Sequence, residues 1–331
     1  MRHIAIVGAG IAGLAAARAL KTAGLGVTIF DRGERPGGRC SSRYAGGGTF
    51  DHGAQYFSAR DERFERVVAE LVEQGCVKKW QGALVDIDTA GRRPRAAARR
   101  YVGVPTMQHL ALKLADGLEL VSGTRVACAR LSGRGWRLFD DHRSELGEYD
   151  ALVLALPPEQ AQALMPPGTS LRLELLKARS LACWALMLGF EQRLPLDFDA
   201  AYVGNPELSW VARDSSKPGR PPGERWIVHA AAEWSAARLQ HNRADVAAEM
   251  LDAFAATVGL DDLRPGTIEA HRWSFARAPR SVASGSLWDD ELRLALCGDW
   301  CLSPRIEDAY LSGLNAAATL TSQPATVLGD T

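Results

Sequence analysis

Residues 3–32 read HIAIVGAGIAGLAAARALKTAGLGVTIFDR: strand, glycine turn, helix, second strand. Ile4, Ile6 and Val7 make a short apolar run of the kind buried in a parallel sheet. Gly8 permits the tight turn, Gly10 brings the backbone within reach of a pyrophosphate, and Gly13 lets the helix pack closely on the strand. Ala12 lies beside them and joins the predicted contacts. The helix aims its first N–H groups at the phosphate. The second strand, 27–30, ends at Asp31, eighteen residues after Gly13, where a carboxylate accepts both hydroxyls of an adenosine ribose. Arg32 follows it. An ordinary glycine turn before an amphipathic helix would leave Asp31 unexplained, so the stretch predicts a dinucleotide site on an α/β sheet.

The rest of the composition fits such a fold. The chain has 331 residues, enough for two lobes, and 47% are apolar. Lys plus Arg and Asp plus Glu number 39 each, so no net field favours nucleic acid or an anionic membrane. Six scattered cysteines show no C-x-x-C, which argues against a zinc knuckle or disulfide framework and for a reduced, cytoplasmic setting. No metal site is expected. The basic, apolar start is also how a secretion signal begins, but its glycines and Arg18 interrupt the run. No segment has about 18 uninterrupted apolar residues, so no membrane span is expected.

After Asp31 comes RGERPGGRCSSR, with Gly37 and Gly38 before Arg39. A nicotinamide dehydrogenase would proceed to a third βα unit here. A second glycine turn with arginines instead resembles the FAD-dependent amine oxidase and desaturase superfamily, in which this backbone and the arginine run along the pyrophosphate and flavin. The next block, FDHGAQYFSARD (50–61), resembles the flavin-contacting segment of the renalase family and its bacterial relatives. YVGVPTMQHL, YDALVLALPPEQAQAL, WVARDSSKPGR, WIVHAAAEWS, HRWSFARAP and LCGDWCLSPRIEDAYLSG follow in that family's order and cover nearly the whole chain. Tyr101 stands where the family has Trp.

The resemblance implies an α/β, two-domain FAD-binding fold of amine oxidase / p-hydroxybenzoate hydroxylase type topology. A Rossmann-like dinucleotide domain takes 1–78, 106–165 and 286–325. A substrate domain with a mixed or antiparallel sheet takes 79–105 and 166–285, and 326–331 form a tail. The second insertion supports this, because LACWALMLGFE, AAYVGN, SWVARD and RWIVHAAAE are strand-like, and 243–258 has apolar residues at helical spacing. The implied cofactor is non-covalent FAD, held by Gly8, Gly10, Ala12, Gly13, Asp31, Arg32, Gly38, Arg39, Gly53, Ala54, Gln55, Val126, Asp299, Glu307 and Ala309. Asp299 is expected to accept a hydrogen bond from the ribityl chain. A helix opening near 305–308 is expected to aim its N–H groups at flavin N1 and the C2 carbonyl.

The implied activity is oxidation of 2- and 6-dihydro isomers of NAD(P)H, with dioxygen reduced to hydrogen peroxide. Losing hydride turns a dihydropyridine directly into a pyridinium, so no general base is required. Expected substrate-side residues are Gln55, Tyr56, His229, Trp273 and Trp300. Each has a plainer reading: a buried turn for Gln55 and Tyr56, a satisfied core residue for the others. An amine oxidase or desaturase is the alternative enzyme, and a flavin-binding sensor without turnover the alternative class. Against the amine oxidase, the strand RSLACWALMLGF carries Ala182 and Cys183 but no Lys. Lys217 and Arg220 read equally as substrate contacts or as an exposed turn. GRRPRAAARR (91–100), with five arginines in ten residues, reads as a solvated hairpin or as a cluster that draws in the dinucleotide's phosphates.

Overall fold

The computed structural model describes residues 3–133 and 135–322. The expected tail, and residues 323–325 of the FAD segment, lie outside the described residues.

The opening stretch folds as it reads. The strand His3–Val7 lies at the centre of a six-stranded sheet, parallel to Gly26–Phe30 on one side and Ala151–Leu154 on the other. Glu119–Val121 extends one edge. Leu294–Leu296 joins parallel to Ala151–Leu154, and Leu287–Asp289 closes that edge antiparallel. The C-terminal strand therefore returns to the sheet begun 290 residues earlier. Helix Ile11–Thr22 covers one face together with Ile306–Ser322. The two helices approach closely at Gly313, where a Cβ would stand 2.1 Å from the carbonyl oxygen of Ala12. The other face is sealed by the meander Val126–Ser132, Gly135–Asp140, Glu145–Tyr149, with Trp136 wholly buried. Leu171, Leu175 and Ala178 pack into that same core.

A seven-stranded sheet forms the second layer, in the order Thr267–Arg277, Leu181–Phe190, Glu224–Ala230, Leu208–Arg213, Ala200–Val203, Leu84–Asp88, Gly91–Pro94. All neighbours are antiparallel except Ala200–Val203 and Leu84–Asp88, so the sheet is mixed. Side chains alternate between its faces. Trp184, Leu186, Leu188, Trp226 and Val228 face helix Arg243–Val258, which begins at an Asn242 cap and ends at Gly259 in the left-handed conformation. The alternate residues face the dinucleotide-binding lobe, and they make the candidate site. Among the described residues no helix is long and apolar enough to cross a membrane.

Candidate functional site

The glycine turn has room for a ligand at one place and none elsewhere. Gly8 has φ +108, and a Cβ there would lie 2.5 Å from the Ala155 carbonyl oxygen. A Cβ on Gly13 would lie 2.0 Å from the Gly8 carbonyl oxygen, which is the close helix–strand packing the sequence requires. Gly10 differs, since its Cβ would meet nothing within 4 Å. A Cβ on Gly38, at φ +53, would lie 3.5 Å from the Gly10 Cα, so the second glycine turn packs beside the first. The two backbones thus line an open cradle at a helix N-terminus, the geometry that a pyrophosphate fits.

Asp31 accepts the N–H of Ala9 (2.6 Å) on one oxygen and that of Gly33 (2.7 Å) on the other. These bonds fix its plane, and each oxygen keeps a lone pair for a ribose hydroxyl. Arg32 is exposed and Val126 is buried at the start of its strand. At the far end of the cradle Arg39 donates to both oxygens of Asp299, at 2.7 and 2.9 Å, and to the Ala276 carbonyl at 3.1 Å. The residues present fit an FAD.

Two expected contacts work differently. Glu307 is buried, and its carboxylate accepts the N–H groups of Arg60 (2.5 Å) and Asp61 (2.8 Å). It therefore braces the start of helix Glu62–Glu73, leaving its backbone N–H as the group able to meet a cofactor. The N–H of Ala309 closes the first turn onto Arg305, so Ala309 has only its methyl to offer.

Residues 51–57 run across the facing sheet. Tyr202, Trp210, His229, Ala185 and His271 stand in register on five adjacent strands and form one rung. The segment meets this rung residue by residue. The His52 carbonyl accepts from His229 Nε2 (3.2 Å) and Trp273 Nε1 (3.0 Å), which places the His229 proton on Nε2. Gln55 Oε1 accepts from Trp210 (3.4 Å), and the Tyr56 and Tyr202 hydroxyls bond each other. Gly53 is required here, because a Cβ would lie 2.1 Å from the Arg39 carbonyl oxygen and 3.3 Å from the Trp273 ring. Ala54 follows it, its N–H bonded to the same Arg39 carbonyl (2.9 Å). The smallest member of the rung is Ala185, and no lysine stands on it.

Burial lowers the pKa of His229 to about 4 and that of His271 to about 4, with Arg43 adding to the latter. His52 is lowered to about 3 by burial, then by His271 and Arg43. All three rings are neutral at pH 7. His271 and Trp273 pack edge-on, with His52 4.6 and 4.9 Å from them.

Three sequence expectations are corrected. Gln55 does not offer its carboxamide to a ligand. Its Nε2 donates to the carbonyls of Asp51 and Gly53, while its Oε1 also accepts from Lys217 Nζ at 3.2 Å, so the buried turn is the right reading. Trp300 does not face a substrate. Protein atoms alone leave it 1% exposed, and its Nε1 donates to the Leu156 carbonyl at 3.0 Å. Nor is the 215–220 turn exposed at its cations. Lys217 is wholly buried between Asp214 (2.6 Å) and Asp51 (3.4 Å), and Arg220 is bonded to Asp51.

That buried quartet escaped sequence reading, because Asp51 and Lys217 lie 166 residues apart and nothing local marks them as partners. Asp51 also accepts from Ser42 and from the Met107 N–H, so it joins both lobes behind the 52–56 segment. Burial opposes its charge, but Lys217 and Arg220 hold its carboxyl below the usual range. Burial pushes Asp214 the other way. His271 and Tyr202 were also missed: period-two counting from Trp273 would have placed His271 on its face, whereas Tyr202 joins them only through cross-strand register. Among the described residues no three His, Cys, Asp or Glu side chains are placed to hold a metal. Cys297 and Cys301 are buried core residues, and burial pushes the Cys301 thiol to about 12.

Comparison with known proteins gives the site a setting. Residues 6–71 match the NAD(P)-binding Rossmann-like domain, and residues 92–321 match the flavin containing amine oxidoreductase model. Protoporphyrinogen oxidase 2, chloroplastic/mitochondrial, of Arabidopsis thaliana is 47% identical over 109 residues, 32% of this chain and 19% of its own. Phytoene dehydrogenase of Streptomyces griseus is 34% identical over 113 residues, 30% of this chain and 22% of its own. The matches thus span about a fifth of the length of these relatives. Cyclohexylamine oxidase from Brevibacterium oxydans superposes with a TM-score of 0.76 over 97% of this chain and 98% of its own, at 14% identity, which speaks for the fold alone.

Proposed function

Since the chain belongs to the flavin containing amine oxidoreductase family and carries that family's FAD, we propose that it is an oxidase of the renalase type. Its substrates on this reading are the 2- and 6-dihydro isomers of NAD(P)H. When bound, the FAD accepts the hydride and passes both electrons, with two protons, to dioxygen, giving hydrogen peroxide and the aromatic nicotinamide.

The observation that supports this reading most is the composition of the rung facing residues 52–56. It holds aromatic and neutral imidazole groups, an alanine gap and no lysine. The one lysine behind it, Lys217, is locked in two ion pairs. A flat heteroaromatic ring is well received by such a surface, and its oxidation needs no proton removed. His229, its proton committed to the His52 carbonyl, orients that segment. Trp273 fixes the same carbonyl from the next rung, and Tyr56 with Tyr202 closes the far side. The protein excludes water and holds the ring in line.

The division into an FAD lobe (1–78, 106–165, 286–325) and a substrate lobe (79–105, 166–285) belongs to the same proposal. A second reading, an amine oxidase or desaturase acting on another small substrate, has the family match and the Streptomyces relative in its favour. Anaerobic mixing of the holoprotein with each dihydro isomer, and separately with amines, decides between them by which donor bleaches the flavin band.

A further inference from the structure

The arginine-rich stretch 91–100 ends in a residue unlike its neighbours. Arg92, Arg93 and Arg95 are exposed and pair with Asp197, Asp88 and Asp86, as expected for a solvated hairpin. Arg100 is only 7% exposed. Three arginines of the chain are this buried among the described residues, and the other two are held by carboxylates: Arg213 by Glu224 and Asp199, Arg220 by Asp51. Arg100 has no carboxylate partner among the described residues. Its guanidinium carbon lies 5.5 Å from the centre of the Tyr56 ring, a contact that compensates only part of the lost hydration.

A second guanidinium lies nearby, that of Arg95, which bonds Asp86 through Nη1. Arg95 stacks 4.1 Å over the Tyr202 ring, so the two cations flank the bonded pair of Tyr56 and Tyr202 hydroxyls. Burial raises the pKa of the Tyr202 phenol, so it stays protonated and remains a donor. Trp80 borders Tyr56 at 6.2 Å. Two guanidiniums beside the one phenolic O–H that the Tyr56–Tyr202 bond leaves free suit a phosphate, which accepts charge-assisted bonds. Tyr56 is three residues from Gly53, a reach of about 10 Å along an extended chain. An anion held here would share the 53–56 segment with a ring placed at Gly53.

We propose that Arg100 and Arg95, with the Tyr56–Tyr202 hydroxyl pair, form a subsite for a phosphate group of the substrate. The missing counter-charge of Arg100 then arrives with the ligand. The identity of that ligand as a dinucleotide rests on the function proposed above. The anion subsite itself does not.

The test is calorimetric titration of the FAD-loaded protein with inorganic pyrophosphate, paired with steady-state kinetics on two donors. These are a dihydronicotinamide dinucleotide and the corresponding dihydronicotinamide riboside, which has no phosphate. Arg100→Met is expected to weaken pyrophosphate about tenfold or more. It should raise KM for the dinucleotide by a similar factor at unchanged kcat, and leave the riboside unaffected. Arg95→Met, at an exposed position that puts the fold at no risk, should show a smaller effect of the same kind. Arg93→Met, on the exposed Asp88 pair, should change nothing. Pyrophosphate binding that is equal in wild type, Arg95→Met and a folded Arg100→Met overturns the subsite. Arg100-dependent pyrophosphate binding without reduction by either donor upholds the subsite and removes the oxidase reading.

Discussion

Arg39 and Asp299, 260 residues apart in sequence, meet in a two-pronged ion pair with distances of 2.7 and 2.9 Å. The pair joins the second glycine turn to the C-terminal strand, so the two ends of the chain become one cofactor clamp. Asp299→Ala removes the partner of a guanidinium that is one-third exposed. We expect the purified variant to retain less than a tenth of the wild-type FAD, on the order of the loss for one charge-assisted pair. Because both residues serve one contact, Arg39→Ala/Asp299→Ala should lose less than the sum of the single variants. Additive losses would mean that the two act separately.

The glycine turn separates cofactor binding from folding. Gly10→Ala adds a methyl where no protein atom lies within 4 Å, whereas Gly13→Ala drives one to 2.0 Å from a carbonyl oxygen. Gly10→Ala should therefore keep the melting temperature of the FAD-free protein within about a degree and weaken FAD. Gly13→Ala should lower that temperature by several degrees, as overpacking costs about 1–3 kcal/mol. Thermal denaturation of the FAD-free variants, followed by flavin titration, distinguishes the two.

Lys217 sits wholly buried between Asp51 and Asp214. Lys217→Met leaves two carboxylates facing Arg220 alone and should destabilise the fold by about 3–5 kcal/mol. Adding Asp214→Asn removes the surplus charge and should restore much of that loss. If urea denaturation shows the double variant no better than the single one, the quartet is not what stabilises this junction.

The buried imidazole of His52 and the half-buried ones of His229 and His271 make stability depend on pH in one direction. Unfolded, a histidine titrates at about 6.5; folded, His52 is at about 3 and His229 and His271 are at about 4. Between those values the unfolded chain binds more protons, so stability is full above about pH 6.5 and falls as the pH drops toward 4. Melting temperature should decline steadily from pH 7 to pH 5. His52→Asn/His271→Asn should flatten that decline, and an undiminished slope in this variant would place its origin elsewhere.

What the sequence made legible follows from how local each signal is. The βαβ opening and the helix 243–258 are marked by period, caps and glycines within one short window, and each formed where expected. The rung of Tyr202, Trp210, His229, Ala185 and His271 depends on the register of five strands, which no single segment encodes. The Asp51–Lys217–Arg220 cluster was hidden for the same reason, and a Pro-Gly turn disguised it as surface. Trp300 was ambiguous because an aromatic beside a cofactor motif has the same composition whether it packs inward or faces the ligand. Its contact with Leu156 settles that.

The most direct test of the proposed activity is stopped-flow mixing, without oxygen, of the FAD-loaded protein with the 2- and 6-dihydro isomers of NAD(P)H. At least one isomer is expected to bleach the flavin band within a single turnover, and admitting oxygen to restore the band with one hydrogen peroxide formed per nicotinamide released. A flavin that stays oxidised with both isomers, in protein shown to hold full FAD, contradicts the proposed activity.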